Sequence, residues 1–351
     1  IDTEFVRVDT FYPLAGLIQV ADDTGIYLID PVEIKDLTVM EPLLTGKTLK
    51  VMHSMSEDIV LFQAIAGCMP QNIFDTQIAC ALLGHGISIS YQNFIERFTG
   101  LVIDKGETRS DWLKRPLSDS QIEYAAKDAH YLYEAYPKVV SQLEERKLTD
   151  IVQQECQLIN LGMVDTELSM DHYYLKVKGG SKLPVNQQVI LKQLTAWRER
   201  EARKRDKPRG RIISDKQFLE LLERMPKTLN ALQATRIFNS GQLRRYGDFI
   251  ISVINNPPIV SPDFKPIPHP LSGQKRDLSR LVKKSVDNVA EKWGMTPELL
   301  GKKRLLEQYV TRLFAEKTNP EGVALPETFG EWRIKLLDSP FKEIIKSKLN
   351  V

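Results

Sequence analysis

The first six residues, Ile1-Asp2-Thr3-Glu4-Phe5-Val6, constrain the chain most. Apolar residues flank an Asp and a Glu two positions apart. In a β-strand successive side chains alternate faces, so Asp2 and Glu4 point to one side while Thr3 and Phe5 point to the other. Two carboxylates side by side on a core strand repel each other and are costly to desolvate. A divalent cation removes that cost, because hard cations take oxygen ligands. A solvated acidic edge is the competing explanation. Asp-x-Glu alone does not decide between them, so partners must come from the rest of the chain.

The 351 residues are too many for one small core and imply two or three domains. With 42% hydrophobic and 27% charged residues the composition is that of an ordinary soluble globular protein. No run of about 18 apolar residues exists, which excludes a helical membrane span, and no signal-peptide pattern opens the chain. Cys68, Cys80 and Cys156 lack metal-type spacing and are expected as buried small hydrophobes. Together these features point to a reducing, cytoplasmic setting. Charge is divided unevenly. Residues 1–150 carry 23 acidic and 13 basic residues, a net −10, whereas residues 151–351 carry 23 and 35, a net +12. An acidic half joined to a basic half suggests two jobs, and the basic half is a candidate for polyanion binding.

After the Asp2/Glu4 strand, Leu14–Val20 and Ile26–Ile29 read as strands with tight connections, an antiparallel meander. Thr48–Met52 reads as a fourth strand running into His53. Ser54-Met55-Ser56-Glu57 has the spacing of a capping box, and Ile59, Phe62, Ile65 and Ala66 follow at helical period. Asp58 then sits in the first helical turn just past a strand, where α/β sheets place ligands. Complementing the helix dipole is the alternative role. Ile73–Thr76 is a short strand entering a helix, with Asp75 expected as its N-cap, and His85 falls in a Gly-rich turn as a loop residue. Asp104–Leu117 reads as a polar surface loop beside a cleft. Ser118-Asp119-Ser120-Gln121 is a second capping box. The helix after it carries an apolar stripe at Ile122, Ala125, Ala126, Ala129, Leu132, Tyr133 and Tyr136. Tyr124 and Asp128, four apart, lie beside that stripe, and Pro137 is expected to weaken the helix.

Asp2, Glu4, Asp58 and Asp128 thus supply four carboxylates from three elements, a first strand, a helix start and a late helix, with Tyr124 one turn before the last. Four such acids suit a two-metal phosphodiester site. Tyr124, with an ordinary pKa near 10, would orient the nucleophilic water rather than deprotonate it. The motifs Asp2-Thr3-Glu4, His53-x4-Asp58 and Tyr124-Ala125-Ala126-Lys127-Asp128 resemble the DEDD exonucleases of the ribonuclease-H-like fold, in the Tyr-containing subgroup. Gly16-Leu17-Ile18-Gln19, Asp75-Thr76-Gln77 and Ser110-Asp111-Trp112 with Arg115-Pro116-Leu117 extend the match to the bacterial ribonuclease D family over essentially the whole chain. That family has a segment before the Asp-x-Glu strand, so an upstream piece is expected to be missing here.

The resemblance implies an α/β catalytic domain at 1–150, a connector at 151–185 and two small all-α HRDC bundles at 186–256 and 271–351, joined by a Pro-rich linker at 257–270. The first bundle's pattern stands at Trp197-Arg198 and Arg245-Tyr246-Gly247. Met and aromatic residues in both are expected as core. Arg203, Lys204, Arg205, Arg209, Arg211, Arg244 and Arg245 are the candidate phosphate contacts. The expected activity is metal-dependent 3′→5′ removal of nucleoside 5′-monophosphates from transfer RNA precursors and other small structured RNAs. Two Mg²⁺ or Mn²⁺ ions would serve each site, RNA is the partner, and neither a membrane nor an obligate protein partner is expected. A DNA exonuclease of the same superfamily and a non-catalytic RNA-binding scaffold are the rivals. The intact carboxylate set argues against the scaffold, and contacts to the 2′-OH would separate RNA from DNA.

Overall fold

The computed structural model of the protein describes residues 1–104, 106–168, 170–316 and 322–348. They fall into two compact units. One comprises Ile1–Glu4, Ala15–Asn160 and Leu271–Val351, and the other Phe5–Leu14 and Leu161–Pro270.

The acidic opening is strand β1 (Asp2–Val6), beside β2 (Leu14–Ala21) and β3 (Ile26–Ile29) in the order β1-β2-β3. β2 and β3 are antiparallel, with Gln19 opposite Leu28 and Ala21 opposite Ile26. The turn between them is closed by Asp22, which accepts from the Thr24 and Gly25 amides at 2.8 and 3.1 Å. β4 (Lys50–Met52) lies parallel to β5 (Ile73–Asp75), so the Ser56–Ala66 helix is the crossover that parallel strands require. Phe62, Phe74 and Phe94 fill the core around it.

Two helix boundaries differ from the sequence reading. Ser54 does not cap the Ser56–Ala66 helix. Its φ is +65°, and Met55 occupies the N-cap with no side-chain hydrogen bond. Asp75 instead anchors the entry to the helix from β5, accepting from the Ser54 and Met55 amides at 3.0 and 2.9 Å. It also caps its own helix through the Gln77 amide at 2.7 Å. The Ser118 capping box is formed, but the helix it starts runs from Asp119 to Glu145 straight through Pro137. Its buried stripe is rotated from the expected one. Ile122 and Tyr133 are exposed, while Gln121, Ala125, Asp128, Ala129, Leu132, Ala135, Val139 and Leu143 are buried. Asp128 is therefore in the stripe, not beside it. The connector begins with a helix spanning Thr149–Leu168.

The C-terminal bundle of the first unit comprises Gly273–Trp293, Lys303–Ala315 and Glu331–Lys348. Val282, Val286, Tyr309, Phe329 and Phe341 fill its core, and Trp293 is exposed. This bundle joins the α/β part of its unit closely. The Thr296 amide donates to the Ala81 carbonyl at 2.8 Å. At Gly84 (φ +84°) a Cβ would come within 2.6 Å of the Gly294 carbonyl oxygen, so only glycine fits there.

In the second unit, helices Val185–Arg205, Asp215–Arg224 and Ser240–Asn255 pack around Leu194, Phe218, Leu222, Ile250 and Ile254, joined by Phe11. Asp206 holds that segment by accepting from the Phe11 and Tyr12 amides at 2.9 and 3.0 Å. The Pro-rich stretch is extended and pinned. The Ile267 amide donates to Gln188 Oε1 at 2.7 Å, and the Phe264 ring stacks on Tyr174 with centroids 5.5 Å apart. No described helix is long and apolar enough to cross a membrane.

Candidate active site

β1 presents Asp2 and Glu4 on one face, as alternation requires, and the buried stripe of the Asp119–Glu145 helix brings Asp128 to them. One carboxylate oxygen from each lies within 4.8 Å of the others. Asp58 is outside this trio. It is buried in the first turn of its helix, and its Oδ1 accepts from the Thr3 hydroxyl.

The crowding has an electrostatic signature. Burial, and then the charges of Asp2, Asp128 and Asp58, push the Glu4 carboxyl up to about 9. Burial and the Asp2 charge push Asp128 up to about 7, against a lowering hydrogen bond from Tyr124. Asp58 also rises to about 7, by burial first and Asp2 second, and burial raises Asp2. Asp2 is thus the charge that reaches both Glu4/Asp128 and Asp58. An all-oxygen donor set whose members resist ionising together fits a hard divalent cation, which would relieve that repulsion.

Tyr124 is half-buried and donates its hydroxyl to the Asp128 carboxylate. Burial, then the Asp128 charge, raises its pKa, so the phenol stays a neutral donor. The Asp104–Leu117 loop lies at the surface beside a cleft, as expected, but its Trp112 turns inward beneath this ring. Trp112 is 2% exposed and lies 6.1 Å from Tyr124 between ring centroids. A Cβ on Gly16 would meet the Trp112 Cβ at 2.6 Å, so β2 needs glycine where the loop crosses it. Arg115 clasps the loop, donating Nε to Asp30 Oδ2 at 2.7 Å, Nη1 to the Trp112 carbonyl at 2.9 Å and Nη2 to the Gly16 carbonyl at 2.7 Å.

Three neighbours had no assigned role. Tyr91 donates its hydroxyl to the main-chain carbonyl of Asp128, and its ring meets His53 edge-on at 5.5 Å. His53 is a scaffold group, with Nδ1 2.9 Å from the Thr76 hydroxyl and Nε2 donating to the Ile89 carbonyl at 3.1 Å. Burial lowers its pKa. Thr3 holds Asp58. Nothing in the local sequence around Tyr91 signals its role, whereas Thr3 sits inside the Asp-x-Glu motif and could have been suspected.

The candidate phosphate contacts separate into two groups. Arg203 and Arg209 are committed to Glu199, at 3.1 and 2.8 Å, because that carboxylate is only 1% exposed and must be paired. Both guanidiniums also cover the Phe11 ring, at 5.1 and 4.8 Å. Arg205 pairs with Glu201, and Arg211 pairs with Asp9 at 3.1 Å. Lys204, Arg244 and Arg245 are exposed.

Ribonuclease D from Pseudomonas paraeruginosa is 34% identical to this chain over 337 residues, covering 95% of it and 88% of the relative. The chain belongs to the ribonuclease D family. Its ribonuclease-H-like exonuclease fold is followed by HRDC modules. Residues 1–144 match a 3′-5′ exonuclease family model, residues 187–254 an HRDC domain, and residues 274–341 the C-terminal HRDC domain of ribonuclease D. The crystal structure of Escherichia coli ribonuclease D, described as an exoribonuclease involved in structured RNA processing, superposes with a TM-score of 0.86 at 28% identity. The match covers 99% of this chain and 92% of that one. As a ribonuclease D, the protein is a 3′→5′ exoribonuclease.

Proposed function

We propose that Asp2, Glu4, Asp58 and Asp128 hold two divalent ions, Mg²⁺ or Mn²⁺, and that the protein trims the 3′ ends of transfer RNA precursors and other small structured RNAs. The convergence of Asp2, Glu4 and Asp128 carries the reading. They would hold one ion, and Asp2, the charge that also reaches Asp58, would hold the second together with it. When bound, such ions lower the pKa of the attacking water and offset the charge that builds on the leaving 3′ oxygen. Tyr124 orients that water. Burial and the Asp128 charge raise its pKa, which favours orientation over base work at neutral pH, and its hydrogen bond to Asp128 and the neighbouring Trp112 ring support that reading. Lys204, Arg244 and Arg245 are the exposed bases suited to phosphates behind the 3′ end.

The test is a 3′-extended transfer RNA and a DNA strand of the same sequence, each with Mg²⁺ and with EDTA. Stepwise shortening of the RNA that EDTA stops, with release of 5′-monophosphates, is the expected result. Equal shortening of the DNA would move the substrate class to DNA. Tight RNA binding with no shortening of either would leave a binding protein.

A further inference from the structure

We propose that a cavity in the second unit, between the Val185–Arg205 helix and the Pro-rich stretch, receives one unstacked nucleotide of the RNA whose 3′ end is being trimmed. The proposal rests on the exoribonuclease reading above and adds a second point at which the strand is held.

The cavity is open to solvent on one side and measures about 460 Å³, with Val189 and Ala196 of the helix as its floor. Its far wall is Pro258, Ile259 and Phe264, and Ile259 is 93% exposed. An apolar wall open to water can accept an occupant, and this size suits a small organic group with a flat face. The wall is fixed in place. The Ile267 amide is bound to Gln188, the Phe264 amide donates to the Ser261 carbonyl at 3.0 Å, and the Phe264 ring stacks on Tyr174.

The polar groups at the cavity narrow the choice. Gln193 Oε1 is buried with no hydrogen-bond partner, although buried acceptors are almost always satisfied. A rotation of the side chain would turn it to a base amino group or a 2′-hydroxyl at the cavity that Gln193 lines. Arg200 is exposed and makes no ion pair among the described residues, in a helix where Arg198, Arg203 and Arg205 are all paired. Lys192 is held only loosely by Asp171, at 3.7 Å. A nucleotide offers what each group lacks: a flat apolar face, a donor and a phosphate. Asp171 and Asp263 also line the cavity. Two carboxylates oppose the doubly charged phosphate of a free mononucleotide more than the singly charged diester of a strand. RNA in mid-chain, not released product, is therefore the ligand.

The experiment uses the full chain. Binding of a 5′-labelled, 3′-extended transfer RNA is measured in EDTA across a salt series, for the wild type, Arg200→Gln and Ala196→Leu. Ala196→Leu fills the floor without changing charge. We expect Arg200→Gln to bind roughly tenfold more weakly, with the slope of log K against log salt reduced by about 0.7–0.9 for one lost phosphate contact. Ala196→Leu should lose a similar factor, of the order of one stacked base, with the slope unchanged. All three should shorten a short single-stranded RNA at the same rate in Mg²⁺. Ala196→Leu that keeps the wild-type Tm and binds the transfer RNA at wild-type strength overturns the proposal, whatever Arg200→Gln does. If Ala196→Leu lowers the Tm, Gln193→Met takes its place, and unweakened binding there has the same meaning. Loss of shortening in the wild type itself would instead defeat the exoribonuclease reading.

Discussion

Arg333 on the last helix donates to both oxygens of Glu155 on the connector helix, 2.6 Å each, and neither residue is more than 1% exposed. Trp332 adds its indole N–H to Glu155 Oε1 at 2.9 Å, and Arg333 also donates to the Leu299 and Phe329 carbonyls. The next residue, Cys156, accepts the Asp75 amide at its Sγ, 3.3 Å away. Asp75 in turn holds the start of the helix that carries Asp58. The C-terminal bundle is thus bonded into the same polar chain that positions a candidate metal ligand.

Removing one partner of a buried ion pair leaves the other charge uncompensated. Glu155→Gln and Arg333→Met should each cost about 3–5 kcal/mol of stability, well above the loss from an exposed pair. Urea unfolding of each variant beside Lys283→Met, which breaks the exposed pair with Asp287, checks this. Equal small losses in all three would show that the Glu155 pair contributes no more than a surface contact.

The carboxylate cluster makes stability depend on pH in a definite direction. Glu4 titrates at about 9, and Asp58 and Asp128 at about 7, in the folded chain, against about 4 when unfolded. The folded state therefore holds protons that the unfolded state has released. Their contribution is complete below about pH 4 and is lost as pH rises through 7 and then 9. In EDTA the Tm should fall between pH 6 and pH 8.5, and Mn²⁺ should raise it more at pH 8.5 than at pH 6. An equal metal increment at both pH values would contradict the raised carboxyl pKa values.

Asp128→Asn removes one ligand oxygen's charge while keeping the shape. Cleavage should fall more than about 100-fold, exceeding what loss of a supporting residue around a metal does, while RNA binding in EDTA persists. Turnover assays paired with binding isotherms test it, and near-normal turnover would sink the site assignment.

What was legible in the sequence was local. The Asp2/Glu4 alternation follows from strand geometry alone, and the Ser118 box fixed the start of the long helix. The same helix shows where local reasoning stops. Counting every apolar residue put Ile122 and Tyr133 in the stripe, but small Ala125, Ala129 and Ala135 face the core, which rotates Asp128 inward. Ser54 failed as a cap because it lies one residue outside the N-cap at φ +65°, with its own amide held by Asp75 from β5. Arg203 and Arg209 read as free bases because Glu199 looked like one more charge in a solvated run. Its burial, decided by the fold, turns them inward. Glu155 and Arg333 are separated by 178 residues, and no pattern in either segment announces the other.

Tyr124→Phe tests orientation against base catalysis. The variant loses the hydroxyl that donates to Asp128 but keeps the ring on Trp112, so metal affinity should change little. If the hydroxyl aims the attacking water, turnover should fall about 100-fold, the scale of a misplaced reactant. The pH profile of the remaining activity should keep the wild-type shape, because a phenol raised above its ordinary pKa does not titrate in the working range. Arg115→Lys should give a milder version of the same loss. It frees the loop that carries Trp112, and lysine cannot reproduce the forked contacts to Asp30 and the Gly16 carbonyl. Metal titration, turnover and a pH profile on both variants decide the matter. A loss of metal binding in Tyr124→Phe would make the tyrosine a support for Asp128, and a shifted alkaline limb would make it a base.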